Sequence, residues 1–213
     1  MLSLKIIVGS TRPERAADLI LPWVRRHADA SNSFDVETLD LREWGLPMFA
    51  ETFQTLGDPS DPTYSQPLVK KWNTTIEAAD AVLIITPEYN HSIPAALKNA
   101  IDTVFFSFAL RNKPAAFVGY SMGAVGGARA VEHLAHIAIE AEMVPLRNSV
   151  LIPHVQSAFT AQGEIANPAS SAALTVLLQD LEWWAQVLHD ARSSSLPPAM
   201  FRRNPGLANR AAS

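Results

Sequence analysis

The chain has 213 residues, a formal charge of −4 and no cysteine. The missing cysteines exclude a disulfide framework, a thiolate metal site and a cysteine nucleophile, and the charge leaves no basic footprint of the kind nucleic-acid binders carry. Nearly half the residues are hydrophobic and under a fifth charged, which is enough for one domain with a sizeable core on a prior of about 100–200 residues per domain.

No apolar run reaches membrane length, and the apolar piece of MLSLKIIVGS is too short for a signal peptide. No membrane partner is expected, and the expected compartment is the cytoplasm. Residues 4–8 are a first apolar strand, ending in Gly9-Ser10-Thr11-Arg12-Pro13-Glu14-Arg15 before a helical run over 16–27. Strand, small polar turn and helix make an anion site, because free N–H groups at a helix start point at the ligand. Ser10 and Thr11 add hydroxyls; Arg12 and Arg15 add guanidinium forks suited to phosphate. Neither a Walker A loop nor G-x-G-x-x-G is present, so a single phosphate is the expected ligand. The competing reading is a solvated turn whose arginines pair with Glu14 and Asp18. Pro22 is expected to kink the helix or to mark its true start.

Residues 34–41 alternate as a second strand. The connection over 43–66 is long for a compact domain and carries Leu46, Met48, Phe49 and Phe53, so it is expected over the ligand site or across a subunit contact. A helix follows over 66–79, with Leu68, Val69, Trp72 and Ile76 inward. Residues 81–85 form an apolar strand suited to burial on both faces, stopped by Pro87. Glu88, Tyr89, Asn90 and His91 come next. Ser92 is expected to cap a helix over 94–107 that has Pro94 in its first turn.

Residues 115–119 are a fourth strand, leading into Tyr120-Ser121-Met122-Gly123-Ala124-Val125-Gly126-Gly127 and a helix over 128–141. The glycines would allow close approach to a flat ligand. A fifth strand is expected over 149–155, and a long helix over 168–191 with Leu174, Leu177, Leu178, Leu181, Trp184 and Leu188 on its inner face. Residues 1–192 thus read as one domain. Residues 193–213 read as a disordered tail, or as an arm packed on a neighbouring subunit through Met200 and Phe201.

Strands alternating with helices predict an α/β fold with a five-stranded parallel sheet, and the single-phosphate first loop favours the flavodoxin-like order 2-1-3-4-5. In that order the loops after strands one, three and four meet in one crevice. A phosphate site at one end and a flat, hydrogen-bonding surface at the other describe flavin mononucleotide (FMN).

Other readings compete. Gly119-Tyr120-Ser121-Met122-Gly123 matches the G-x-S-x-G elbow of α/β-hydrolases, and the chain order permits Ser121, Asp180 and His189 as a triad, although both partners would then lie on one helix. His133, His136 and Glu140 share a helix face but lack a second helix of ligands, so no metal is expected. A non-enzymatic flavodoxin-like electron carrier is the rival from another class; Arg12 and Arg15 and the near-neutral charge speak against it.

GSTRPER after the first strand, TPEYNHSIPAALKNAID after the third and SMGAVGGARA after the fourth resemble the NADPH-dependent FMN reductase family, as does the stretch from Asp40 to Glu51. The resemblance covers most of residues 4–155. It implies bound FMN, NADPH or NADH as co-substrate, and a small-molecule electron acceptor: quinones, azo compounds, metal oxyanions or free flavin. It further implies that Ser10, Arg12 and Arg15 hold the phosphate. Pro87, Glu88, Tyr89 and Asn90 would edge the isoalloxazine ring, and Ser121, Gly123 and Gly126 would meet its pyrimidine side. No side chain would act as a catalytic acid or base, and the helix after the third strand would pair subunits into a homodimer or homotetramer.

Overall fold

The computed structural model describes residues 1–58 and 61–194. The main strands are β1 (Leu2–Val8), β2 (Phe34–Asp40), β3 (Ala81–Pro87), β4 (Pro114–Tyr120) and β5 (Val144–Ile152). They form one parallel sheet in the order β2-β1-β3-β4-β5, the expected flavodoxin-like order. The helices are α1 (Ala17–Ala30), α2 (Pro67–Glu77), α3 (Ala95–Thr103), α4 (Ala128–Glu140) and α5 (Pro168–Ser194).

Period-two alternation along each buried strand divides the core into two layers. Leu4, Ile6, Val8, Leu83, Ile85, Ala116, Val118 and Tyr120 face α1 and α5, which contribute Ile20, Trp23, Val24, Leu174, Leu177 and Leu181. Ile7, Val82, Ile84, Ala115 and Phe117 face α2, α3 and α4 through Trp72, Ile76, Leu97, Ala100, Leu134 and Ala138.

Several boundaries differ from the sequence reading. Strand β3 continues through Thr86 and Pro87, because β1 pairs it only as far as Ile85 and the missing proline N–H costs no ladder bond. Strand β5 starts at Val144, not 149. It is the edge strand, where Pro145 is tolerated, and its register against β4 shifts between Ala115 and Phe117. Ser92 does not cap α3: Pro94 holds the N-cap position, and the Ser92 Oγ lies 3.1 Å from His133 Nδ1. Helix α1 starts at Ala17 and runs through Pro22, which is exposed. On α5 the buried stripe continues at Ala185 and not at Trp184, which stacks edge-on against Trp183 at the surface. Helix α5 reaches Ser194, so the expected tail lies, from residue 195 onward, outside the described residues.

The long connection after β2 contains the short helices Leu41–Trp44 and Phe53–Leu56 and a small ribbon pairing Gly57–Asp58 with Asp61–Pro62. It is pinned to α3. The buried Asn99 accepts the Phe49 N–H at 2.7 Å and donates to the Pro47 carbonyl at 2.8 Å. Met48 is left 75 % exposed. None of its residues among those described lines the cleft at the carboxyl edge of the sheet, so it does not cover the ligand site within this chain.

Candidate cofactor site

The carboxyl ends of the strands open into a cleft of about 780 Å³, at the edge where ligands bind in open α/β sheets. The loops after β1, β3 and β4 all reach it, joined by Val155 and Gln156 from the short 3₁₀ turn after β5.

The first loop is held from below. Arg15 is buried, and its Nη1 donates to Asp40 Oδ1 at 2.7 Å while its Nη2 pairs with Asp40 Oδ2. Its Nε donates to Asp18 Oδ1 at 2.9 Å, and Nη1 also reaches the Ser10 carbonyl. Burial pushes the Asp40 carboxyl up, but the Arg15 hydrogen bonds and the Arg42 amide outweigh it and hold the group below the ordinary carboxylate range. Arg15, expected as a phosphate ligand, therefore borders the cleft with its guanidinium already committed to two carboxylates. Arg12 differs. Among the described residues it has no ion pair, and its guanidinium lies 5.6 Å from the centre of the Tyr89 ring. The backbone N–H groups of Thr11, Arg12, Glu14 and Arg15 donate to no acceptor among the described residues.

The second loop is a tight turn. Tyr89 N–H donates to the Ser92 carbonyl at 2.9 Å and Ser92 N–H returns the bond to Tyr89 at 3.0 Å, with φ of +50° at Asn90 and +65° at His91. Two consecutive left-handed residues make a primed turn, which turns the chain back sharply and presents Tyr89 on a rigid base. The Tyr89 hydroxyl lies 2.9 Å from Ser10 Oγ, tying this loop to the first. Glu88 has a buried side chain, takes Nε of Arg129 at 2.6 Å and accepts the Arg129 backbone N–H at 3.3 Å, clamping the turn to the first turn of α4.

The third loop is wired to the chain after β5. Ser121 N–H donates to Ile152 at 3.2 Å, and Val155 N–H returns to the Ser121 carbonyl at 3.1 Å. The Gly123 carbonyl receives both Ser121 Oγ at 3.1 Å and the His154 N–H at 3.3 Å. The N–H groups of Met122 and Gly123 donate to no acceptor among the described residues. Gly126 and Gly127 have φ of +63° and +90°, and a Cβ on either would strike backbone: Pro153 N at 2.9 Å for Gly126, Tyr120 N at 2.4 Å for Gly127. Those glycines let the loop pack on the strand ends.

Arg12, Arg15, Pro87, Glu88, Tyr89, Ser121 and Gly123 thus line one cleft, while Ser10 is fully buried beneath it. Asn90 and Gly126 do not line it. Sequence reasoning passed over Tyr120, Met122, Arg129 and the post-β5 turn. Only Arg129, a cation opening the helix that follows the glycine loop, carried a readable signal.

The hydrolase triad is not assembled. His189 Nδ1 lies 2.8 Å from Asp80 Oδ1, just before β3 at the opposite edge of the sheet from Ser121. Asp180 accepts from Asn148 Nδ2 at 2.6 Å. Among the described residues no group of three acidic or histidine side chains could hold a metal ion.

Residues 2–157 match the family model described as NADPH-dependent FMN reductase. The chain is 37 % identical over 147 residues to an NAD(P)H-dependent FMN reductase of Pseudomonas aeruginosa, covering 68 % of this chain and 76 % of that protein. It is 30 % identical over 187 residues to the NADH:(hydroxy)cinnamate reductase subunit CrdA of Vibrio ruber, covering 85 % and 86 %. Among solved structures it superimposes on the flavoenzyme NAD(P)H:(acceptor) oxidoreductase FerB of Paracoccus denitrificans with a TM-score of 0.69 and 25 % identity, covering 87 % of this chain and 98 % of that one.

Proposed function

The chain belongs to the NADPH-dependent FMN reductase family, and from that premise we propose that its cleft binds FMN and passes electrons from NADPH or NADH to a small-molecule acceptor. The observation that carries the reading is the union, in one cleft, of an unpaired arginine, a run of undonated amides and an aromatic ledge. The residues fit the cofactor. About 780 Å³ lies within the usual range of small-molecule sites, about 300–1,000 Å³. The N–H groups of Arg12 and Glu14, which make no hydrogen bond among the described residues, belong to residues that line the cleft and could donate to an anion there, and Arg12 adds the counter-charge.

FMN, when bound, supplies the hydride chemistry. The chain positions it. Arg12 and the first-loop amides would hold the phosphate, Arg15 keeps that loop in shape through Asp40, and the turn Tyr89–Ser92 would support the ring. The amides of Met122 and Gly123, close to the start of α4, would favour negative charge on a ring edge placed against them. Among acceptors we favour quinones. Relatives named quinone reductase support this, one from Pseudomonas putida being 36 % identical over 131 residues, as does a 2-hydroxy-1,4-benzoquinone reductase of Burkholderia sp. that is 27 % identical over 189 residues. We also propose a cytoplasmic protein that assembles as a homodimer or homotetramer. The exposed Met48 and half-exposed Phe49, held on α3 by Asn99, suit a covered contact face.

Purified protein mixed with FMN should be yellow and should bleach under anaerobic NADPH or NADH, recolouring on addition of a quinone. Yellow protein that neither nucleotide bleaches would favour an electron carrier, and colourless protein that cannot be reconstituted would end the flavin reading. Arg12→Ala removes a charge-assisted contact to the phosphate and should weaken FMN binding about ten- to hundred-fold in a fluorescence-quenching titration, with little change in stability. Unchanged affinity would remove Arg12 from the phosphate site.

A further inference from the structure

Tyr120 closes β4, and the alternation of that strand turns its side chain toward the layer in which α1 begins. The residue is 4 % exposed and lines the cleft, yet its hydroxyl has no hydrogen-bond partner among the described residues. Buried hydroxyls are nearly always paired, so an orphan beside a ligand cleft points to a partner that arrives with the ligand. The neighbouring groups are spoken for. Ser10 Oγ faces the Tyr89 hydroxyl at 2.9 Å, and Arg15 is held by Asp40 and Asp18. The phenol sits close to Ser10, whose hydroxyl bears on its charge together with Tyr89, Arg15 and Asp18, but no described side chain or backbone group comes within hydrogen-bond geometry of its oxygen.

We propose that Tyr120 is a further phosphate-binding residue of the cleft, its hydroxyl donating a hydrogen bond to a phosphate oxygen of the bound cofactor. The inference rests on the reading of the cleft as an FMN site. Burial pushes the Tyr120 phenol well above its ordinary value, so it stays protonated as a donor. A phosphate dianion offers acceptors only, which matches a phenol that has a proton and no recipient. The protein's own described groups offer this hydroxyl no acceptor, and a seated phosphate would supply one.

The test compares wild type with Tyr120→Phe, which removes one oxygen and keeps the ring. FMN binding should weaken about ten- to hundred-fold while riboflavin, which lacks the phosphate, binds both proteins equally well. The apoprotein variant should melt about 2–4 °C higher than wild type, because an unpaired buried hydroxyl has gone. Equal losses for FMN and riboflavin, no loss for either, or a lower melting temperature of the apoprotein would each overturn the inference. Wild-type protein that binds neither flavin would overturn the FMN reading itself, and this inference with it. A second measurement needs no variant. The chain has three tyrosines, so ¹³Cζ-tyrosine labelling gives few signals, and inorganic phosphate added to the wild-type apoprotein should move the Tyr120 resonance. A resonance that stays put at saturating phosphate would overturn the assignment.

Discussion

Asp40→Asn should destabilise the apoprotein by about 3–5 kcal/mol and abolish tight FMN binding with it. Asp40 is 7 % exposed, and so is its partner Arg15. Asparagine keeps one acceptor for the Arg42 amide and Arg15 Nη1, but it turns an NH₂ group toward Nη2 and leaves the guanidinium buried with half its neutralisation gone. The loss is large because an uncompensated buried charge costs several kcal/mol, whereas an intact buried pair gains little over an apolar one. That asymmetry gives the control: Arg15→Met combined with Asp40→Leu removes both charges and should be more stable than Asp40→Asn alone. Urea unfolding of the three proteins decides it. A loss below about 1 kcal/mol in the single variant would mean that Arg15 finds another anion or solvent. The same pair sets an acid limit. The Asp40 carboxyl is held below its unfolded value, so its contribution is complete above about pH 4 and is lost as pH falls through the folded value. The wild-type urea midpoint should drop there more steeply than that of the double variant.

The second large effect is expected at Gly127. A Cβ on this residue would lie 2.4 Å from Tyr120 N and 2.8 Å from the Gly119 carbonyl carbon, in a backbone with φ of +90°. Neither neighbour is a flexible side chain; both belong to the end of β4. Gly127→Ala therefore combines a strained φ with a backbone collision, and should cost about 3–5 kcal/mol or prevent recovery of folded protein. Gly45→Ala separates the two causes, since Gly45 has φ of +54° and open space around the Cβ position. Its cost should stay at about 1–2 kcal/mol, the left-handed penalty alone. Similar unfolding midpoints for the two variants would refute the collision.

Much of the frame is legible because parallel strands buried on both faces read as unbroken apolar runs, as at Val82, Leu83, Ile84 and Ile85. Strand order follows from handed crossovers and short connections. The first half of β5 escapes because Pro145, Arg147 and Asn148 break the run, and only its edge position excuses them. The fate of Arg15 is harder still. A guanidinium in a phosphate-like loop looks the same whether it meets a ligand or an aspartate 25 positions away, and the Asp40 carboxylate is a tertiary fact. Tyr120 reads as one more apolar residue in an apolar strand; the missing partner of its hydroxyl appears only when its surroundings are packed. The post-β5 turn has no motif at all. It enters the cleft because Ile152 and Val155 bind the glycine loop through backbone, which any sequence supplies.

Those backbone bonds also set when the site comes into being. Ser121 and Gly123 take their positions from Ile152, His154 and Val155, residues made more than thirty positions later, and the ladder that carries them is parallel and non-local. Parallel pairing of this kind closes slowly, since a whole crossover must be ordered before its first contact forms. Until β5 pairs, the loops after β1 and β3 lack the wired third loop that completes the cleft. A flavin that needs the completed cleft would bind after β5 has paired, and would stabilise a fold it had no part in building.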